Sequence, residues 1–128
     1  MAALRENVIV DKSEHFADRI TRMYKYLSER RVGDKEMLKQ IVRCGTSIGA
    51  NVSEGQFAQT KPDFLTKMTI ALKEANETRF WLKRLYAYGS LSDKEFDSIL
   101  KDSEEIISIL TIITKTTKEN LKNERQEK

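Results

Sequence analysis

The sequence has a single proline, five glycines, one histidine and one cysteine in 128 residues. Strand-rich domains need frequent turns, and turns draw on Gly and Pro, so this shortage argues against an all-β fold. One cysteine, Cys44, excludes an intrachain disulfide and suits a reducing compartment. The one histidine, His15, has no second histidine and no plausible metal partner at ligand spacing. The opening MAALRENVIV lacks the apolar run of a signal peptide, and no later stretch reaches the length of a membrane span. A soluble, cytoplasmic chain of one compact domain is expected, with no membrane partner.

What remains is 39% hydrophobic and 34% charged residues, the composition of amphipathic helices. Asp11-x-x-Glu14 reads as a capping box that opens a first helix. Its apolar stripe is Phe16, Ile20, Met23, Tyr24 and Leu27, with Gly33 as its stop. Asp34 is the expected cap of a second helix with the stripe Leu38, Ile41, Gly45, Ile48 and Val52, ending at Gly55. Thr60-Lys61-Pro62-Asp63 opens a third, where proline needs no N–H partner and aspartate meets the positive helix end. That helix runs to Gly89. Ser92-x-x-Glu95 is a second capping box, followed by Phe96, Ile99, Leu100, Ser103, Ile106, Ile107, Leu110 and Ile113.

Short connections force neighbouring helices to run antiparallel, so the expected fold is all-α, an up-down-up-down four-helix bundle. Its expected bounds are residues 11–118, between an N-terminal extension (1–10) and a charged, frayed C-terminal tail (119–128). Charge is uneven within a formal total of +3. From Ser92 to Thr114, Lys94 and Lys101 face Asp93, Glu95, Asp97, Asp102, Glu104 and Glu105, which leaves the rest of the chain distinctly basic.

No catalytic, metal or cofactor constellation emerges. Cys44 falls inside a helix without a histidine nearby, and Glu74/Glu77 lack the Glu-x-x-His spacing of di-iron bundles. The chain is therefore expected to bind something and not to be an enzyme. Three features carry that expectation. Gly45 and Gly49, four residues apart, mark a close helix contact, with Ala71 and Ala75 as a candidate opposing surface. A polar stripe of Gln40, Arg43, Ser47, Asn51 and Glu54 lies opposite the core stripe of its helix, and Arg43 is expected to pair with Glu74 or Glu77, within a subunit or across an interface. Ile70, Trp81, Leu85 and Tyr88 widen the apolar arc of the third helix, and Ile109 and Ile112 leave the main stripe of the fourth; both suggest an oligomer. Finally, Arg19, Arg22, Tyr26 and Arg30 follow His15 along one flank, while Lys73, Phe80, Lys83 and Arg84 share an arc of the third helix. Cations neutralise phosphates and interleaved aromatics stack on unpaired bases, which makes these residues a candidate RNA or DNA surface.

The segments QIVRCGTSIGANVSEG (40–55) and KPDFLTKMTIALKEANETRFWL (61–82), together with YKYLSERR, resemble the bacterial four-helix bundle family that includes the 23S rRNA intervening-sequence proteins. The resemblance spans about residues 7–118. It is most specific at Ser47, Ile48, Ala50, Asn51, Glu54, Gly55, Asp63 and Phe64, while Cys44 stands where serine is common. It implies a four-helix subunit in a homopentameric ring. Relatives that serve diversity-generating retroelements imply contact with a reverse transcriptase and nucleic acid. Arg43, Ser47, Asn51 and Glu54, facing Glu77, coincide with the family motif and imply a structural role; the candidate nucleic-acid residues lie outside it. Together these lead to a non-enzymatic homo-oligomer that binds structured RNA through a basic surface. The alternative is a scaffold that holds a protein partner on exposed apolar and acidic faces.

Overall fold

The computed structural model describes the backbone of residues 4–127 and the side chains of residues 7–127. Four helices account for nearly all of it: α1 (Leu4–Glu29), α2 (Lys35–Gly55), α3 (Lys61–Ala87) and α4 (Asp93–Glu127). No strand occurs among the described residues. Each helix packs on two neighbours in the cyclic order α1, α2, α3, α4, which leaves α1 diagonal to α3 and α2 diagonal to α4. The contacts run antiparallel: Gly45 meets Ile20 and Gly49 meets Ser13 between α1 and α2, while Arg43 reaches Glu77 and Glu54 reaches Lys67 between α2 and α3.

The punctuation of α2, α3 and α4 follows from local hydrogen bonds. Met37 N–H donates to the Asp34 carboxylate at 3.0 Å and Asp63 N–H to the Thr60 hydroxyl at 3.2 Å. At α4 the two capping bonds are reciprocal, Ser92 N–H to Glu95 at 2.8 Å and Glu95 N–H to Ser92 at 3.1 Å. α3 ends in a Schellman turn, with Ser90 N–H on Leu85 C=O, Gly89 N–H on Tyr86 C=O, and Gly89 at φ +82°.

Three expectations about the ends need correction. α1 begins at Leu4, not Asp11, and Ile9 is fully buried, so Asp11-x-x-Glu14 lies inside a helix whose core stripe starts earlier. The expected extension is thus helical from Leu4; Met1 to Ala3 and Lys128 lie outside the described residues. α1 also stops before Gly33: Val32 N–H reaches Leu27 C=O, Arg31 N–H reaches Ser28 C=O, and Arg31 takes the left-handed φ of 56°. At the other end α4 continues to Glu127, tied to the start of α3 by the Lys61–Glu124 ion pair, where a frayed tail was expected.

The core contains Phe16, Ile20, Leu38, Ile41, Ile48, Val52, Leu82, Leu85, Ile106 and Leu110. Each such side chain contributes about 1.5–3 kcal/mol on burial. Gly45 and Gly49 do create a close approach, but against α1 rather than Ala71 and Ala75: a Cβ at Gly45 would lie 2.9 Å from Ile20, and one at Gly49 3.2 Å from the Ser13 carbonyl oxygen. Gly55 is the last residue of α2, where the spacing placed its end, and a Cβ there would meet the tip of Met68.

Candidate nucleic-acid surface and the polar seam

Two polar assemblies stand out. The first joins α2 to α3. Arg43 donates to Glu74 at 3.1 Å and Glu77 at 2.5 Å, and through Nε to Gln40 at 3.2 Å. Trp81 Nε1–H donates to the same Glu77 oxygen at 3.1 Å. The hydrogen bond that Arg43 donates to Glu77 raises its guanidinium above the ordinary value; burial opposes this, and the charges of Glu74 and Glu77 add to the rise. One turn on, Asn51 donates to the Ser47 carbonyl at 2.9 Å and hydroxyl at 3.2 Å, both within α2. Glu54 reaches Lys67 of α3 at 3.6 Å. Arg43 is half exposed, so these bonds act mainly by fixing the register of α2 on α3; exposed pairs of this kind contribute about 0–1 kcal/mol each. Beneath them Cys44 is fully buried, and desolvation pushes its thiol up to about 11. A thiol held neutral in this way is a packing group and a poor nucleophile.

The second assembly concerns the cations. The acidic α4 lies between α1 and α3, and bases on both sides meet its middle: Lys12 pairs with Glu105, Arg19 with Asp102 at 2.6 Å, and Arg79 with Glu104 at 3.7 Å. Arg19 also donates to the Ser98 hydroxyl and carbonyl. Of the candidate RNA contacts, Arg19 is thus tied into the α1/α4 seam, and Lys73 sits halfway along α3, away from the others. Arg22, Tyr26 and Arg30 lie near the end of α1, and Lys83 and Arg84 near the end of α3. These helices are diagonal, so the two groups share no helix face. They do share one end of the bundle, where the α1–α2 and α3–α4 turns touch: a Cβ at Gly33 would lie 3.2 Å from Ser90 Oγ.

That end holds further cations that helical spacing alone did not single out, namely Lys25, Arg31, Lys35 and Lys94. Among the described residues none of these, nor Arg22, Arg30, Lys83 or Arg84, has a carboxylate within ion-pair distance. Most acids nearby are engaged locally. Asp34 and Glu95 cap helices, Glu36 pairs with Lys39, and Asp93 accepts the Tyr86 hydroxyl at 2.6 Å; Glu29 and Asp97 stand outside such contacts. Backbone hydrogen bonding at the cap holds the Glu95 carboxyl below the usual carboxylate range. Two cation–aromatic contacts also lie here, Arg30 over Tyr26 at 3.6 Å and Arg84 over Phe80 at 5.7 Å.

α1 and α4 pack less closely than the other neighbouring pairs. Their seam opens into two grooves, one on each side of the Arg19 bridge. The lower one, about 370 Å³, includes Lys12, His15 and Glu105; the upper one, about 330 Å³, includes Arg22, Tyr26 and Glu95 over Met23, Leu27, Leu91 and Ile99. Ile70 and Phe80 on α3 and Tyr88 just after it are exposed, and on α4 Ile112 is exposed while Ile109 is only partly buried. Among the described residues no three His, Cys, Asp or Glu side chains converge as a metal site, and no helix is long and apolar enough to cross a membrane.

The fold and the α2/α3 seam define a small all-helical bundle protein whose polar motif holds two of its helices in register. More specifically, residues 5–112 match the family model described as 23S rRNA-intervening sequence protein, and the chain belongs to that family. It is also similar to a crystal structure of a protein of unknown function from the S23 ribosomal protein family of Bacteroides thetaiotaomicron. That structure is 46% identical and superposes with a TM-score of 0.83, over 88% of this chain and 99% of that one. No curated protein matches the chain.

Proposed function

We propose that this protein is a non-enzymatic, cytoplasmic nucleic-acid-binding subunit, with structured RNA as its ligand, that works as a homo-oligomer. The observation that carries the reading is the set of unpaired cations at the end where the two turns meet, in contrast to the ion-paired middle of the bundle. Cations without carboxylate partners are available to phosphates, and replacing the counterions of a polyanion favours binding. A single subunit offers few of them, and the net charge of +3 is modest. An oligomer repeats the surface so that several weak contacts act on one ligand. Five subunits in a ring is the arrangement proposed, with the exposed apolar side chains of α3 and α4 available for subunit contacts.

The test is a fluorescence-anisotropy titration of a labelled stem-loop RNA and a duplex DNA at several salt concentrations, with a light-scattering mass on the same sample. Salt-sensitive binding that weakens in Arg22→Glu and Lys83→Glu, at unchanged mass, is the expected result. No binding at low salt would overturn it.

A second reading rests on a different observation, the exposed Ile70 and Phe80 of α3 and Tyr88 at its cap. Under it the protein is a scaffold that docks a protein partner on exposed apolar and acidic helix faces. Binding of that kind persists at high salt, which separates it from phosphate contact.

A further inference from the structure

We infer that the upper α1/α4 groove is a pocket for one unpaired nucleotide of a bound RNA; the inference rests on the nucleic-acid reading above and adds to it where, and in what state, a base is held. The groove has the composition that such a ligand requires. Its floor is apolar, built from Met23, Leu27, Leu91 and Ile99, and its rim carries Arg22, Tyr26 and Glu95. At about 330 Å³ it lies near the lower end of small-ligand sites, roughly 300–1,000 Å³, which suits one nucleoside and not a helix.

Each rim residue has a part. Arg22 is exposed and has no carboxylate partner among the described residues, whereas Arg19, one turn away, is anchored to Asp102 and Ser98. Arg22 is therefore the rim cation available to a phosphate, and Arg19 closes the groove on its lower side. Tyr26 is 49% exposed, and the Arg30 guanidinium covers its ring at 3.6 Å. A base stacked on this ring gains both aromatic contact and the field of the adjoining cation. Glu95 gives one carboxylate oxygen to the Ser92 N–H and keeps acceptor capacity for the amino or imino N–H of a base. Paired bases are stacked within a duplex and present no free face, so only a loop, bulge or end can enter.

The closing experiment compares two labelled RNAs of equal length, a hairpin with an unpaired adenosine-containing loop and a blunt duplex, in anisotropy titrations. A second loop probe carries 2-aminopurine, whose fluorescence is quenched by stacking. The loop RNA is expected to bind at least ~10-fold tighter than the duplex, with quenching of the probe. Tyr26→Leu should lower loop affinity about tenfold and abolish quenching, a larger loss than any it causes in duplex affinity, and Tyr26→Phe should retain both loop affinity and quenching. Because Tyr26 is exposed, the fold tolerates these changes, which circular dichroism verifies. Equal affinity for loop and duplex, with salt-sensitive binding intact, would overturn the pocket and leave the polyanion reading standing. No binding to either RNA at low salt would overturn both. Saturable binding of AMP alone, without loop-RNA binding, would overturn the assignment to RNA.

Discussion

Replacing Gly45 with alanine sets two effects of known size against each other. Helix propensity alone favours alanine by about 1 kcal/mol. In this bundle the added Cβ would sit 2.9, 3.1 and 3.3 Å from Cγ2, Cγ1 and Cβ of Ile20. Ile20 has no exposed surface, and its branched side chain has little freedom at χ1, so relief requires α1 to move away from α2. Overpacking of this kind costs about 1–3 kcal/mol, which leaves a net loss of ~1 kcal/mol. With a urea slope of ~2 kcal/mol/M, the unfolding midpoint should fall by about 0.5 M. Gly55→Ala is the matched control. Its Cβ would meet the Met68 terminal methyl, the far end of an adaptable side chain, so the change should stay within ~0.5 kcal/mol of wild type. The assay is urea unfolding followed by far-UV circular dichroism, with all variants at one protein concentration because subunit association contributes to apparent stability. A higher midpoint for Gly45→Ala than for wild type would refute the close α1–α2 packing.

Other residues give independent expectations. Ser103 Oγ is buried without a hydrogen-bond partner, so Ser103→Ala should raise stability by about 1 kcal/mol, read as a higher denaturation midpoint. Arg31 closes α1 at φ 56°, a conformation that costs a side chain roughly 1 kcal/mol, and Arg31→Gly should stabilise the fold by ~0.5–1 kcal/mol. The Cys44 thiol, raised by desolvation from its ordinary 9.0 to about 11, should resist iodoacetamide in the native state and react readily in urea. Because the folded value is the higher one, the unfolded chain ionises first as pH rises. Stability contributed by the neutral buried thiol is complete below pH 9 and declines between about pH 9 and 11, a loss absent from Cys44→Ala.

Much of this architecture could be read from local chemistry. Thr60–Pro62–Asp63, Ser92/Glu95, Asp34 and Gly89 marked ends because a cap is a short-range hydrogen-bond pattern, and all four occur where the spacing placed them. Asp11-x-x-Glu14 misled because the same spacing arises on any exposed helix face; the buried Ile9 and Ser13 upstream of Phe16 were the missed sign that the stripe continues. The α1 stop was missed because an arginine, not a glycine, takes the left-handed position. The pairing of Arg43 with Glu74 and Glu77 follows from arcs on two sequential helices, which must be neighbours. Periodicity gives an angle on one helix and says nothing of which helices lie diagonal. That is why Gly45 and Gly49 face α1 instead of Ala71 and Ala75, and why the α1 and α3 cations meet at one end and not along one face. The pairing of Lys12, Arg19 and Arg79 with α4 was within reach, since an acidic helix between two basic ones has its counter-charges beside it.

Binding of RNA phosphates by the turn-end cations is tested most sharply by the slope of log affinity against log salt for the stem-loop RNA. The proteins to compare are wild type, Lys83→Glu/Arg84→Glu and Lys73→Glu. The double variant should show a shallower slope, by about 0.7–0.9 for each phosphate it no longer neutralises, and Lys73→Glu should leave the slope unchanged. Identical slopes for all three proteins, or affinity that does not depend on salt, would rule out phosphate binding at that end of the bundle.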